Sequence, residues 1–284
     1  MGLLNFRDVG ETINAHVGQT VMKTGWLYRS ARPDEASIEE RKRLVEYYKI
    51  SSIIDLRTKT EHIEGARKRD ASIYACAGLA PSNEVAHEPL KIPGITYHDI
   101  NLNGSSYSLS LIRKLAWWQT VKLIGLMATG YRLEAISILG ENVMRERGLN
   151  GLGTDTLDVC GREFKEIFNV LADEGNSPVI VHCTQGKDRT GIVVLLVLML
   201  LGVDDGAIEY DYLLTGPELL PERDAKLKEI HAIGLPDAFA DCSPNFVKVV
   251  SGHIRERFAS IEGYFDSIGV NKDAQNRIKT NFRP

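Results

Sequence analysis

At 284 residues, 43% hydrophobic and 25% charged, the chain has enough material for a sizeable core and the composition of an ordinary globular protein. A net charge of −4 argues against a global basic field, so no nucleic-acid partner is expected and any anion must be met by a local site. Four scattered cysteines, Cys76, Cys160, Cys183 and Cys242, lack metal-ligand spacing, which argues against zinc and against a disulfide framework; neither metal nor cofactor is expected.

In chain order, Met1–Asp8 carries no basic region followed by an apolar core, as a secretory signal requires, and Phe6 breaks a myristoylation motif opened by Gly2. A reducing, cytoplasmic location is expected. Asn5–Gly10 reads as a polar turn around Phe6. A short strand follows in Gly25–Pro33, then a helix over Ser37–Tyr48 capped by Asp34 or Ser37. Ile50–Leu56, rich in β-branched residues, is a second strand, and Thr58 with Glu61 three residues on forms a capping pair. Asp55, Arg57 and Glu61 are expected to brace a loop more than to touch substrate. Residues 65–93 lack periodicity and read as a long excursion. Ile95–Leu102 is a third strand containing Asp99.

Residues 107–148 form an insertion. Leu111–Met127 is apolar around most of its circumference, Gly130 breaks it, and Tyr131–Arg147 resumes helical spacing, which gives a helical hairpin. No run of 18 uncharged apolar residues exists there, so no transmembrane span is expected. Three readings stay open: a hairpin packed on the domain, a lid over a site, or an interfacial segment making transient membrane contact through Trp117 and Trp118. Thr156–Asp173 is amphipathic and leads into a buried strand at Val179–Val181, with a buried helix at Ile192–Leu201. Helical patterns cover 204–215 and 218–233, with Pro217, Pro221 and Pro236 as breakers. Two more occupy Phe246–Phe258 and Ala259–Ile268. Strands alternating with helices indicate an α/β fold with a central sheet flanked by helices.

The strand at 179–181 and the helix at 192–201 enclose Cys183, five residues, then Arg189. A turn from strand into helix aims backbone N–H groups and a helix N-terminus at one point, which makes an anion cradle of Thr184, Gln185, Gly186, Lys187 and Gly191. Gly186 permits a left-handed turn. Arg189 offers a planar fork to two phosphate oxygens. The same field favours Cys183 as a thiolate, a nucleophile in line with phosphorus. Thr190 is placed to donate to that sulfur. Lys187 would add a second cation beside the phosphate. Leaving-group protonation needs a general acid, either Asp188 or, second, Asp99.

His182-Cys-Thr-Gln-Gly-Lys-Asp-Arg-Thr-Gly191 resembles the signature of the atypical tyrosine/serine phosphatases of bacteria and fungi, whose loop Lys-Asp pair is similar to that of phosphoinositide phosphatases. Asn5-Phe-Arg-Asp8, Leu27-Tyr-Arg-Ser-Ala31 and Ser260–Gly269 resemble the same subgroup, the first lying near the catalytic end of its sheet. The resemblance implies one phosphatase domain over 1–284 with the 107–148 helices inserted. It also implies hydrolysis of phosphorylated protein or phosphoinositide through a phosphocysteine. A phosphate-binding protein without turnover, or a rhodanese-like loop-cysteine enzyme, is the alternative reading. The Lys-Asp-Arg-Thr-Gly ending argues against the latter.

Overall fold

The computed structural model describes residues 3–67 and 91–284. Most of the expected excursion, with Cys76, lies outside the described residues. Five short strands form one sheet: β1 (Arg7–Asp8), β2 (Leu27–Ser30), β3 (Ser52–Asp55), β4 (Thr96–Asp99) and β5 (Val179–His182). Their order is β1-β2-β5-β3-β4, parallel throughout except for the β1–β2 pair. The cysteine-bearing segment therefore leaves the central strand, at the carboxyl edge where open α/β sheets place their ligands.

Strand β5 is buried on both faces, and its side chains alternate between two cores. Val179 and Val181, with Leu27 and Ile54, join the larger cluster, in which Phe164, Phe168, Leu195 and Phe265 pack. Ile180, with Tyr28 and Ile53, joins a smaller one around Leu44 and Ile50. Helix α1 (Val9–Val17) starts at Asp8, whose carboxylate accepts from Gly10 N (2.8 Å) and Glu11 N. Helix α2 (Ile38–Glu46) is capped by Ser37, one of the two expected caps, and Glu40 completes a capping box with it. Residues 59–67 form α3, opened by the expected pair: Glu61 Oε2 accepts from Thr58 N (2.9 Å) and Thr58 Oγ1 accepts from Glu61 N.

The helical stretch around 107–148 is more segmented than its periodicity suggests. It contains α4 (Ser105–Ile112), α5 (Trp117–Ala128), α6 (Arg132–Leu139), a π-helical turn at Gly140–Met144 and α7 (Arg145–Val159). Helices α5 and α6 form the hairpin, turning through Gly130 at φ +86°, a conformation open to glycine. Gly140 sits where a Cβ would collide with the Ile233 carbonyl, so the π turn stays close to that neighbouring segment. The expected helix over 156–173 is two, α7 and α8 (Gly161–Ala172), broken at Cys160. Helix α9 (Asp188–Leu201) is the core helix after the loop. Next come α10 (Asp205–Glu218), α11 (Arg223–Ala232), α12 (Phe246–Phe258) and α13 (Ile261–Ile268). Pro217 lies in the last turn of α10, which ends one residue later at Glu218, so the expected break falls just after the proline. A final helix, α14 (Lys272–Phe282), was not expected; it buries Ile278 and Phe282.

Candidate active site

Residues Cys183 to Lys187 bridge β5 and α9, and their shape is fixed from outside. The Thr184 carbonyl accepts from Arg32 Nη1 (2.7 Å) and the Gln185 carbonyl from Asn5 Nδ2 (2.9 Å). The Gly186 carbonyl accepts from both Asn5 Nδ2 (3.0 Å) and Arg29 Nη2 (2.7 Å). That of Lys187 accepts from Gly191 N in α9 (2.7 Å). A peptide plane points its C=O and N–H in opposite directions. With four successive carbonyls held by the scaffold, the N–H groups that follow them face the other way. Among the described residues, the N–H groups of 184–188 donate to no backbone carbonyl outside their own element. They converge with the N-terminus of α9, a site that attracts anions. Gly186 is left-handed (φ +63°), and a Cβ there would run into the Ser30 carbonyl, so glycine is required twice over.

The braces are themselves held. Arg29 is 1% exposed and Asp211 of α10 equally so; they form a buried ion pair, and Arg7 Nε adds a second at 2.8 Å. Burial alone would raise the Asp211 carboxyl, but the charges of Arg29 and Arg7 and their hydrogen bonds hold it below the usual range. On the other side, Asp55 at the end of β3 faces His182 (Nε2 to Oδ2 3.3 Å) and pairs with Arg57 (2.7 Å), which reaches Asp34 at 3.1 Å. The expectation of a bracing network for Asp55 and Arg57 is met in this geometry.

Glu61 does something different. Its Oε2 accepts from Arg189 Nη1 (2.7 Å) and its Oε1 from Arg189 Nη2 (2.5 Å), while Thr184 Oγ1 also donates to Oε1. Arg189 Nη1 in addition donates to the Leu56 carbonyl (3.1 Å). Burial raises the Glu61 carboxyl, but Arg189, through hydrogen bond and charge, and Thr184 outweigh it and hold it at about 2. This end-on pairing uses one hydrogen on each terminal nitrogen. It leaves the Nε–H and the second Nη2–H, the side-on fork of the guanidinium, without a protein acceptor among the described residues.

A cavity of about 340 Å³ opens over the loop, lined by Cys183, Thr184, Gln185, Lys187, Asp188 and Arg189 on its polar side. Tyr107 of α4, Met144, Leu149 and Leu152 at the base of the insertion, and Ile230, Phe239 and Phe246 supply an apolar wall. Cys183 is a free thiol, 3% exposed. Asp188 lines this cavity with its carboxylate partly exposed, and Oδ1 has no hydrogen-bond partner among the described residues. Thr190 is fully buried with its hydroxyl equally unpartnered, so the expected bond to sulfur is not made here. Lys187 departs from its expected place as a cation beside the anion. Its buried ammonium donates to the carbonyls of Phe239 (3.0 Å) and Asp241 (2.8 Å), pinning the loop to that segment. Gly191 lies under the ring of Tyr212. Asp99 is not brought to the cavity; it stands half-exposed on edge strand β4, paired with Lys91 at 3.0 Å.

A family model described as the tyrosine phosphatase family matches residues 1–283. The chain belongs to the tyrosine phosphatase family. Among similar proteins is the triple specificity protein phosphatase PtpB of Mycobacterium tuberculosis, 25% identical over 297 residues, 98% of this chain and 96% of that protein. A tyrosine-protein phosphatase of Nostoc commune is 30% identical over 132 residues, covering 41% of this chain and 43% of that protein. An inositol diphosphatase of Arabidopsis thaliana matches only 38 residues, 13% of this chain and 15% of that protein, at 42% identity. The phosphatase is thus a cysteine-dependent hydrolase of tyrosine or dual specificity. No helix among the described residues is long and apolar enough to cross a membrane.

Asn5, Arg29, Arg32 and Asp211 are functional residues beyond the expected set. The first two lie in segments that resemble the phosphatase subgroup, but nothing local in a turn or a strand marks them as tethers of the loop. The signal for Asp211 was an acid on the apolar stripe Ala207, Ile208, Tyr212, Thr215 of α10, where a charge demands a buried partner.

Proposed function

We propose that this phosphatase hydrolyses phosphoric monoesters at Cys183, with residues 184–191 as the phosphate cradle. Cys183 attacks phosphorus as a thiolate. The S–P bond forms as the P–O bond to the leaving group breaks, and Asp188 gives that oxygen its proton. Water then attacks the phosphocysteine, surrenders a proton to Asp188, and releases inorganic phosphate with the thiolate restored. Loop amides and the side-on fork of Arg189 stabilise the equatorial oxygens throughout. The observation that carries this reading is the outward tethering of four consecutive carbonyls, which leaves the N–H groups preorganised for an anion. Positive charge then comes from protein, so the chemistry assigned to these residues is complete without a metal.

The apolar wall fits a ring or chain attached to the phosphate, and the substrates proposed are phosphorylated protein, with phosphotyrosine favoured, and phosphoinositides. Because α4 and α7 line the cavity while α5 and α6 contribute no lining residue, the helices around 107–148 shape the site at their base and the hairpin itself does not close over it, within one catalytic domain. We place the protein in the cytoplasm, where a free thiol persists. Hydrolysis of an aryl phosphate in EDTA, lost in Cys183→Ser, tests the mechanism. A panel of phosphopeptides and phosphoinositides ranks the substrates. Wild-type inactivity on every phosphoester would overturn the reading and leave phosphate binding without turnover.

A further inference from the structure

Helix α5 is apolar on both sides. One side is buried: Leu123 packs with Ala135 and Ile138, and Leu126 joins them. The other is open. Trp117 is 79% exposed, Trp118 55%, Val121 62% and Ile124 59%, with Met127 also uncovered. These residues sweep about half the helix circumference at 100° per residue. A patch of this kind on a protein surface marks an interaction site.

The charge around the patch selects its partner. From Ile100 to Leu133 the chain contains no aspartate or glutamate, but carries Arg113, Lys114, Lys122 and Arg132. Arg113 and Lys122 are exposed and have no ion pair among the described residues. Two-fold pairing with a second copy through this face would set these cations against one another with no carboxylate from the same segment to offset them. An anionic bilayer offers both complements: hydrocarbon for the aliphatic residues and headgroup charge for the lysine and arginines. Adjacent tryptophans at the start of the helix, with exposed Tyr131 beyond its end, suit the interface between the two.

We propose that the open face of α5 docks this phosphatase on anionic membrane surfaces, lying in the interface without crossing it. The far end of the hairpin is tied to the catalytic end of the fold: Arg132 Nη2 donates to Thr60 Oγ1 (2.8 Å), one residue before Glu61. Docking through α5 therefore holds the cavity near the headgroups. The inference does not depend on which phosphoester is hydrolysed.

The test is co-sedimentation of the full chain with phosphatidylcholine vesicles, with and without about one third phosphatidylserine. Fluorescence reads it independently, because Trp117 and Trp118 are two of only three tryptophans. The expected result is binding to the anionic vesicles with a blue shift of emission. Raising the ionic strength from about 0.1 M to about 1 M should weaken it severalfold, as the screening length shrinks from about 10 to about 3 Å. Trp117→Ser/Trp118→Ser should lose at least about tenfold in partitioning while hydrolysis of a soluble aryl phosphate is unchanged. Lys122→Glu should weaken anionic binding. Absence of binding at low salt would overturn the proposal, as would binding that the double variant leaves intact. So would concentration-dependent dimerisation that the double variant abolishes, since the face would then belong to a second copy.

Discussion

The phosphate loop and the α5–α6 hairpin reverse the usual placement of polar and apolar groups in opposite ways. Around the loop, Arg29, Asp211, Lys187 and Asn5 are buried, and each has hydrogen-bond partners. On the hairpin, Trp117, Val121 and Ile124 are exposed, with no covering element among the described residues. The first arrangement sacrifices desolvation energy for geometry, since buried charges tolerate only partners in well-defined positions. The second stabilises nothing in the isolated chain and gains only when another surface arrives. Substitutions in the two regions should therefore be felt in different measurements.

The sharpest break is Cys183→Ser, which should cut aryl phosphate turnover by at least about a thousandfold while inorganic phosphate still binds, because the cradle is backbone. Next in size is Asp211→Asn, which leaves Arg29 and Arg7 without their counter-charge. A loss of about 3–5 kcal/mol in denaturant unfolding is expected, with activity failing in parallel. Glu61→Gln should keep the fold near neutrality but let Arg189 wander, lowering kcat/KM by about 10–100-fold. The same residue sets an acid limb. Its carboxyl titrates at about 2 in the folded protein against an ordinary 4.5. Its stabilising contribution is therefore full above about pH 4.5 and lost as pH falls through about 2. Unfolding free energies followed from pH 6 to 3 should fall less steeply in Glu61→Gln than in wild type. Smallest is Trp117→Ser/Trp118→Ser, within about 0.5 kcal/mol of wild type in the same unfolding assay.

Strands β2 to β5, the central α/β layout and the strand-to-helix loop were legible because each rests on local chemistry: β-branched runs, a strand-to-helix turn, and the Cys-x5-Arg spacing; β1 and α1 were not, since Asn5–Gly10 reads as a polar turn. What was not legible depends on contacts far along the chain. Lys187 reads as a free cation until the carbonyls of Phe239 and Asp241 arrive beside it. Asp99 reads as a candidate acid until edge strand β4 turns it towards Lys91. Glu61 was visible as a helix cap, and it is one, but the same carboxylate also fixes Arg189. The break at 113–116 carries no glycine or proline signal, so apolar periodicity ran through it, while at Cys160 the single glycine that follows, Gly161, was outweighed by the apolar stripe of α8.

The tethers that shape the loop span most of the polypeptide: 180 and 181 residues from Asn5, 157 from Arg29, and 204 between Arg7 and Asp211. Contacts of such sequence separation form only after long loops have closed, and they close slowly. A chain emerging from the ribosome therefore displays its signature cysteine well before the cradle around it is set. Catalytic competence then arrives as one of the last events of folding, and recovery of turnover during refolding should lag behind recovery of helix.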